Sequence, residues 1–324
     1  MIQPLETRPF GKTGERVTVI GLGGAHLDRS SLADGEATVH RALELGINYF
    51  DSAPGYGQGA SQVILGKALE RHKEPYLLAT KLACWLPSFT EPEGYWPPEV
   101  LHAQLRENLR LLRRSKVDIL QVHMAEYARW WKHGAQPDQL LGLNETYDFS
   151  GAPVMRVLRE AKATGLCRFI GITGDHPDEL AYALRHVDVD VCLSAWNYNL
   201  LFRRTRRTIL PLAQEKGVAY IVAGILGYFT EVHPEWLSAP PLWVTPEVKI
   251  KLAGLYELQK ASGLSLVNIA VRYMLADQSI STVLVGAKNP AELEECVAAA
   301  KQGPLPSDLH RAIEELGLYN EVLA

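Results

Sequence analysis

Four side chains in the first half of the sequence have the types and the spacing for proton transfer. Asp51 ends the run Tyr49-Phe50-Asp51, Lys81 follows Ala79-Thr80, and His123 follows Gln121-Val122. Tyr56 stands in the loop Ser52-Ala53-Pro54-Gly55-Tyr56-Gly57, just past Asp51. A tyrosine hydroxyl with an ordinary pKa of about 10 does not trade protons freely near neutrality. A nearby ammonium favours the phenolate, and an aspartate beside the lysine keeps that ammonium charged and in place. A histidine beside the tyrosine can orient a carbonyl oxygen or relay the proton. Such a set protonates an oxygen as hydride reaches its carbon, or does the reverse. Side chains have no hydride to give, so the chemistry implies a nicotinamide cofactor. Each residue alone reads equally well as a strand-end cap or a solvated charge, but four of them at successive strand ends do not.

The elements that must gather these residues are visible as a rhythm. Apolar, often β-branched runs fall at 17–21, 47–51, 76–81, 117–123, 167–172, 189–194, 218–223 and 282–285. Helix-like stretches fall at 33–45, 98–112, 154–163, 177–185, 205–216, 246–262 and 290–300. Pro98 suits a first helical turn, and Gly46, Gly165 and Gly217 suit helix ends that need positive φ. Strands alternating with helices predict an α/β fold, a (β/α)8 TIM barrel, with an open doubly wound sheet as the alternative. In a barrel the strand ends share one mouth, with neighbouring strands about 4.8 Å apart. That spacing would make Asp51, Lys81 and His123 neighbours. Residues 5–17, turning at Lys12-Thr13-Gly14, read as a β-hairpin capping the barrel bottom. Long loops at 83–96, 124–153 and 224–245 would rise from the C-terminal face, where barrel enzymes work.

Two glycine-bearing segments bear on a cofactor. Gly21-Leu22-Gly23-Gly24-Ala25-His26 has the look of a dinucleotide fingerprint, but His26 stands where its third glycine belongs and no helix begins there. The loops after the seventh and eighth strands are Ala223-Gly224-Ile225-Leu226-Gly227 and Gly286-Ala287-Lys288-Asn289-Pro290. Their small residues let a phosphate approach the backbone beside the helix that Pro290 begins, although the same glycines can simply serve turns.

Composition narrows the class. The 324 residues are 47% hydrophobic and 22% charged with a net charge of −4, which excludes a disordered or collagen-like chain. They are expected to form a single domain over 1–324. The charge does not favour nucleic acid or an anionic membrane as partner. Cys84, Cys167, Cys192 and Cys296 are far apart with no Cys-x-x-Cys, so neither a metal site nor a disulfide framework is expected. Residues 1–10 do not read as a signal peptide, and the longest uncharged apolar run, 218–229, is too short to span a bilayer. The expected location is the cytoplasm; the oligomeric state stays open.

Several motifs together resemble the aldo-keto reductase superfamily over about residues 5–316. They are Arg8-Pro9-Phe10-Gly11-Lys12-Thr13-Gly14, Phe50-Asp51-Ser52-Ala53-Pro54-Gly55-Tyr56-Gly57, Thr80-Lys81 and Asp118-Ile119-Leu120-Gln121-Val122-His123. The resemblance implies that Tyr56 is the general acid/base, that Lys81 and Asp51 tune it, and that His123 orients the substrate. It implies an extended nicotinamide cofactor bound without a Rossmann domain, with Gly23 and Gly24, Thr173 and Gly174, and the loops holding Ala223, Gly224, Leu226, Gly227 and Gly286 around it.

There are departures. The family's Ser-Asn pair for the carboxamide is Thr173-Gly174, and its glutamine falls on Ala195, for which Ser194 or Asn197 can substitute. The aromatic that stacks on nicotinamide falls on Ala223. The residues that grip a 2′-phosphate fall on Gly286-Ala287 and Glu292, and the adenine contact falls on Cys296, which leaves Lys288 as the nearby cation. A carboxylate opposes a phosphate and accepts from a free ribose hydroxyl, so NAD is expected ahead of NADP.

Gly171-Ile172-Thr173-Gly174, Val283-Leu284-Val285-Gly286 and Pro234-Glu235-Trp236 resemble the branch of L-galactose and L-fucose type aldose 1-dehydrogenases. The substrate is then a small sugar or carbonyl compound. His26, Trp85 and Trp130 are the expected substrate contacts; aromatic faces suit sugar C–H surfaces, while loop tryptophans, among them Trp96 and Trp131, can equally pack a lid. The rival readings are an NADPH-dependent aldehyde or ketone reductase and a non-catalytic cofactor-sensing subunit of the same fold.

Overall fold

The computed structural model describes residues 4–82, 96–227 and 231–323. Two short strands, β1 (Thr7–Pro9) and β2 (Arg16–Thr18), pair antiparallel as a hairpin. Eight parallel strands follow: β3 (Ile20–Gly23), β4 (Tyr49–Asp51), β5 (Leu77–Leu82), β6 (Ile119–Val122), β7 (Phe169–Gly174), β8 (Val191–Ala195), β9 (Ala219–Ala223) and β10 (Thr282–Val285). They close into a barrel in chain order, with β10 returning to β3. This is the expected (β/α)8 architecture, with its hairpin.

Side chains alternate between two faces along each strand. Tyr49, Leu77, Ala79, Ile119, Val191, Leu193, Ala219, Ile221 and Leu284 fill the barrel interior. Phe10 and Val17 of the hairpin join that cluster, and both are fully buried. The hairpin therefore plugs the N-terminal end. Gly11 makes this approach feasible. Its φ is +55°, and a Cβ there would lie 2.4 Å from the backbone nitrogen of Ala219 at the base of β9.

The surrounding helices are α1 (Leu32–Glu44), α2 (Ala60–Leu69), α3 (Pro98–Leu111), α4 (Pro153–Ala163), α5 (Pro177–His186), α6 (Ile209–Lys216), α7 (Pro246–Ser262), α8 (Leu266–Leu275), α9 (Pro290–Lys301) and α10 (Ser307–Glu315). Gly46, Gly165 and Gly217 take positive φ after α1, α4 and α6. Three helices lie beyond the sequence expectation. Helices α2 and α8 are buried over most of their surface, and α2 has no polar stripe to mark its period, while α8 shows only Asn268 and Arg272 among apolar residues. Helix α10 is short, with one buried hydrophobic residue, Ile313. The first apolar run also divides: Val17 belongs to the hairpin and the barrel strand begins at Ile20. Among the described residues no helix is long and apolar enough to cross a membrane.

Candidate active site

At the C-terminal mouth the barrel brings the four sequence candidates together. Asp51 is the last residue of β4, Lys81 the penultimate residue of β5, and His123 follows β6. In register, Asp51 pairs with Ala79 and Lys81 with Gln121, so the acid and the lysine point into the barrel on adjacent strands. Lys81 Nζ donates to Asp51 Oδ1 and, at 2.9 Å, to the carbonyl of Ser52. Gln121 Nε2 donates to the other carboxylate oxygen of Asp51 at 3.0 Å. The same ammonium lies 4.8 Å from the centroid of the Tyr56 ring. The Tyr56 and His123 rings meet edge to face with centroids 5.8 Å apart.

The loop that delivers Tyr56 is sharply wound. Tyr56 N–H bonds the carbonyl of Ala53 at 3.1 Å, and Gly57, Gln58 and Gly59 all take positive φ. Gly24 has a packing task beside it. A Cβ there would lie 2.3 Å from Ser61 Oγ and 2.9 Å from the Asp51 carbonyl, so its bare backbone lets the turn after β3 pack against the end of β4. Gly23 pairs in register with Asp51. These glycines sit in a barrel strand and its turn, which removes the fingerprint reading of 21–26.

Burial sets the protonation states. It pushes the Tyr56 hydroxyl above its ordinary value, and the opposing pull of Lys81 only partly offsets this. Lys81 loses hydration, but Asp51 and Tyr56 more than restore its charge and hold it above the usual lysine value. Burial, helped by the Lys81 charge, pushes His123 down to about 3, so its imidazole is neutral near pH 7. The expectation that the ammonium lowers the tyrosine is right for the Lys81 contribution and wrong for the net result, because desolvation is the larger effect.

Around the mouth, His26 Nδ1 lies 3.0 Å from the carbonyl of Gly286, tying the loop after β3 to the loop after β10. Asn289 caps α9 by accepting from Glu292 N–H at 3.1 Å. Glu292 in turn accepts from Lys288 N–H at 3.0 Å and pairs with Lys288 Nζ at 3.3 Å. Ala223 ends β9 facing inward, and Gly224 and Gly227 just after it take positive φ. The Trp196 ring lies over these two glycines, where a Cβ would come within 3.0 and 2.7 Å of it; Leu226 is half-buried beside them.

The family model for aldo/keto reductases matches residues 19–317. An L-galactose dehydrogenase from Arabidopsis thaliana is 32% identical, with 99% of this chain and 92% of the relative aligned. The chain belongs to the aldo/keto reductase family. A pyridoxal 4-dehydrogenase from Microbacterium luteolum is 25% identical over 97% of this chain and 98% of its own. The fold agrees with a solved aldo-keto reductase from Bacillus halodurans in its holo form, at a TM-score of 0.74 and 23% identity over 97% of both chains. The protein is thus an oxidoreductase of a family that uses nicotinamide cofactors.

Against the aldo/keto reductase pattern several expected contacts are placed elsewhere. Ser194 lies on the outer face of β8, its hydroxyl 2.6 Å from that of Tyr220, and so does not face the mouth. Asn197 is spent on the carbonyls of Asp175 and Leu323 and on Leu323 N–H. Cys296 is 3% exposed in the core beneath α9, and burial pushes its thiol up to about 12. Trp130 is 1% exposed, and its indole N–H donates to the carbonyl of His123 at 2.9 Å. Trp131 does the same for Ala125 at 2.7 Å. Both pack the loop under His123, the lid alternative, rather than offering a face to substrate. Trp96 meets His133 edge to face. Trp85 and Cys84 lie outside the described residues.

Thr173 and Gly174 do reach the mouth at the end of β7. Thr173 Oγ1 is on the inner face, buried, and has no hydrogen-bond partner. Gly174 is hemmed in: a Cβ there would lie 2.0 Å from Oε2 of Glu126. Sequence reading missed Glu126. Its one sequence signal is a carboxylate just past His123, combined with a glycine where the family carries asparagine.

Proposed function

We propose that this chain is an NAD-dependent aldose 1-dehydrogenase, with Tyr56 as the general acid/base. The observation that carries the reading is the buried Lys81 ammonium, clamped by Asp51 and set 4.8 Å from the Tyr56 ring at the barrel mouth. In the reducing direction the protonated phenol donates to the carbonyl oxygen. In the oxidising direction the phenolate takes the hydroxyl proton, and Lys81 supplies its counter-charge. Neutral His123 donates one hydrogen bond to the substrate oxygen and holds it beside Tyr56. A bound nicotinamide supplies the hydride acceptor or donor.

The residues fit such a group. The unpartnered Thr173 hydroxyl can bond a carboxamide, and the bare backbones of Gly224, Gly227 and Gly286 let Trp196 and His26 pack closely over the loops after β9 and β10 beside it. Preference for NAD rests on the loop before α9. There Lys288, the cation nearest the adenosine end, is already paired with Glu292, and that carboxylate would oppose a 2′-phosphate while accepting from a free hydroxyl. The sugar substrate rests on the relatives, one an L-galactose dehydrogenase and another a D-threo-aldose 1-dehydrogenase at 23% identity.

A panel of aldoses, simple aldehydes and ketones with NAD, NADP and their reduced forms tests the reading. Oxidation of an aldose with NAD is the expected optimum; aldehyde reduction with NADPH alone would overturn it. Tyr56→Phe should cost about 10²–10⁴-fold in kcat while NAD binding persists, and a near-normal kcat would remove Tyr56 from its role.

A further inference from the structure

Glu126 lies outside this proton path, yet its side chain has no solvent exposure. Its Oε1 accepts from Asp175 N–H at 2.8 Å and lies 3.5 Å from His176 Nδ1, which is 3.2 Å from Asp175 Oδ1. Its Oε2 is buried without a hydrogen-bond partner and fills the space of a side chain at residue 174. Two carboxyls thus share one imidazole behind the strand end that carries the unpartnered Thr173 hydroxyl. A buried carboxylate is costly unless a cation answers it, and His176 can answer only one of the two.

We propose that the surplus negative charge on Glu126 and Asp175 is the counter-charge of the oxidised nicotinamide ring, so that this chain binds the oxidised dinucleotide in preference to the reduced one. The inference rests on the reading that Thr173 receives the carboxamide. The oxidised ring carries one positive charge and the reduced ring none, while the remainder of the dinucleotide is unchanged. The ratio of the two affinities therefore isolates the field at the ring.

The neighbouring groups make Glu126 the one that responds. Burial pushes it up to about 7. Hydrogen bonds from its imidazole to Asp175 and Glu126 raise His176 to about 10, so it stays protonated. Burial pushes Asp175 up, but its bonds to His176 and Glu126 outweigh this and keep it ionised. Cys192 faces Glu126 from β8 and stays a neutral thiol, because burial raises it well above its ordinary value. A cation bound nearby favours ionised Glu126. Affinity for the oxidised form should then rise from pH 6 to pH 8, and affinity for the reduced form should not.

Calorimetric titration of the protein with NAD and with NADH, without substrate, tests this. In Glu126→Gln the preference for NAD over NADH should fall about tenfold and its pH dependence should flatten. Asp175→Asn, at a side chain 28% exposed, should lower the same ratio and serves if the first variant does not fold. An unchanged ratio in a folded Glu126→Gln or Asp175→Asn protein overturns the proposal and leaves the dehydrogenase reading intact. Failure of the wild-type protein to bind either form overturns both.

Discussion

Replacing Lys81 by methionine separates the two tasks assigned to it. Its Nζ lies 4.8 Å from the Tyr56 ring centroid, and opposite unit charges at that distance attract by about 3.5 kcal/mol at an effective dielectric of about 20. Losing that much from the phenolate-forming step slows oxidation by about two to three orders of magnitude. The pH at which the oxidation rate rises should move upward, because phenolate forms less readily without its cation. The same change strands Asp51, 2% exposed, with Gln121 as its remaining side-chain donor. Breaking a buried pair in this way typically costs about 3–5 kcal/mol of stability. Rate and pH profile come from dinucleotide absorbance, and stability from chemical denaturation followed by circular dichroism. Asp51→Asn/Lys81→Met should recover stability without recovering rate. A folded Lys81→Met enzyme within tenfold of wild type, with an unshifted pH profile, would refute the reasoning.

Glu292→Arg removes the carboxylate, frees Lys288 and adds a donor fork, so kcat/KM should shift toward NADP; a wild-type enzyme already favouring NADP, with the same preference in Glu292→Gln, would contradict the NAD assignment. Trp130→Phe leaves the His123 carbonyl without its indole donor, which should cost about 1–3 kcal/mol in denaturation and lower kcat through a looser His123, whereas unchanged values would show that the indole bond does not position it. His123 is neutral in the native state down to about pH 3 but titrates near its ordinary value, about 6.5, when unfolded. The unfolded chain therefore binds a proton that the native chain does not, and stability should fall by up to about 1.4 kcal/mol per pH unit as pH drops below about 6.5. Denaturation midpoints from pH 7 to pH 4 should decline less steeply in His123→Gln, and parallel curves would show that His123 is not the responsible group.

Much of this protein was legible before any coordinate. Strand ends, turn glycines and the hairpin are local features, and local backbone preference writes them into the order of residues. Asp51, Lys81 and His123 could be placed at one mouth because parallel strands of a closed barrel align their C-terminal ends. Helix α2 left little periodic trace, since burial on most sides removes the polar face that reveals a period. Side-chain direction at the mouth was not legible either. Ser194 faces outward because a strand's period of two puts it opposite Leu193, and Trp130 is buried because its loop folds back beneath His123. The meeting of Glu126 with Gly174 depends on the pairing of β6 with β7 and on the path of the chain after Met124, which takes positive φ. Contacts between distant residues exist only once register and burial are set, and burial also decides the charge states of Tyr56, His123 and Glu126. Residue types and their order pointed to a candidate proton-transfer site. Its protonation, and the carboxylate filling the space beside Gly174, were decided by tertiary packing, because desolvation and distance exist only in three dimensions.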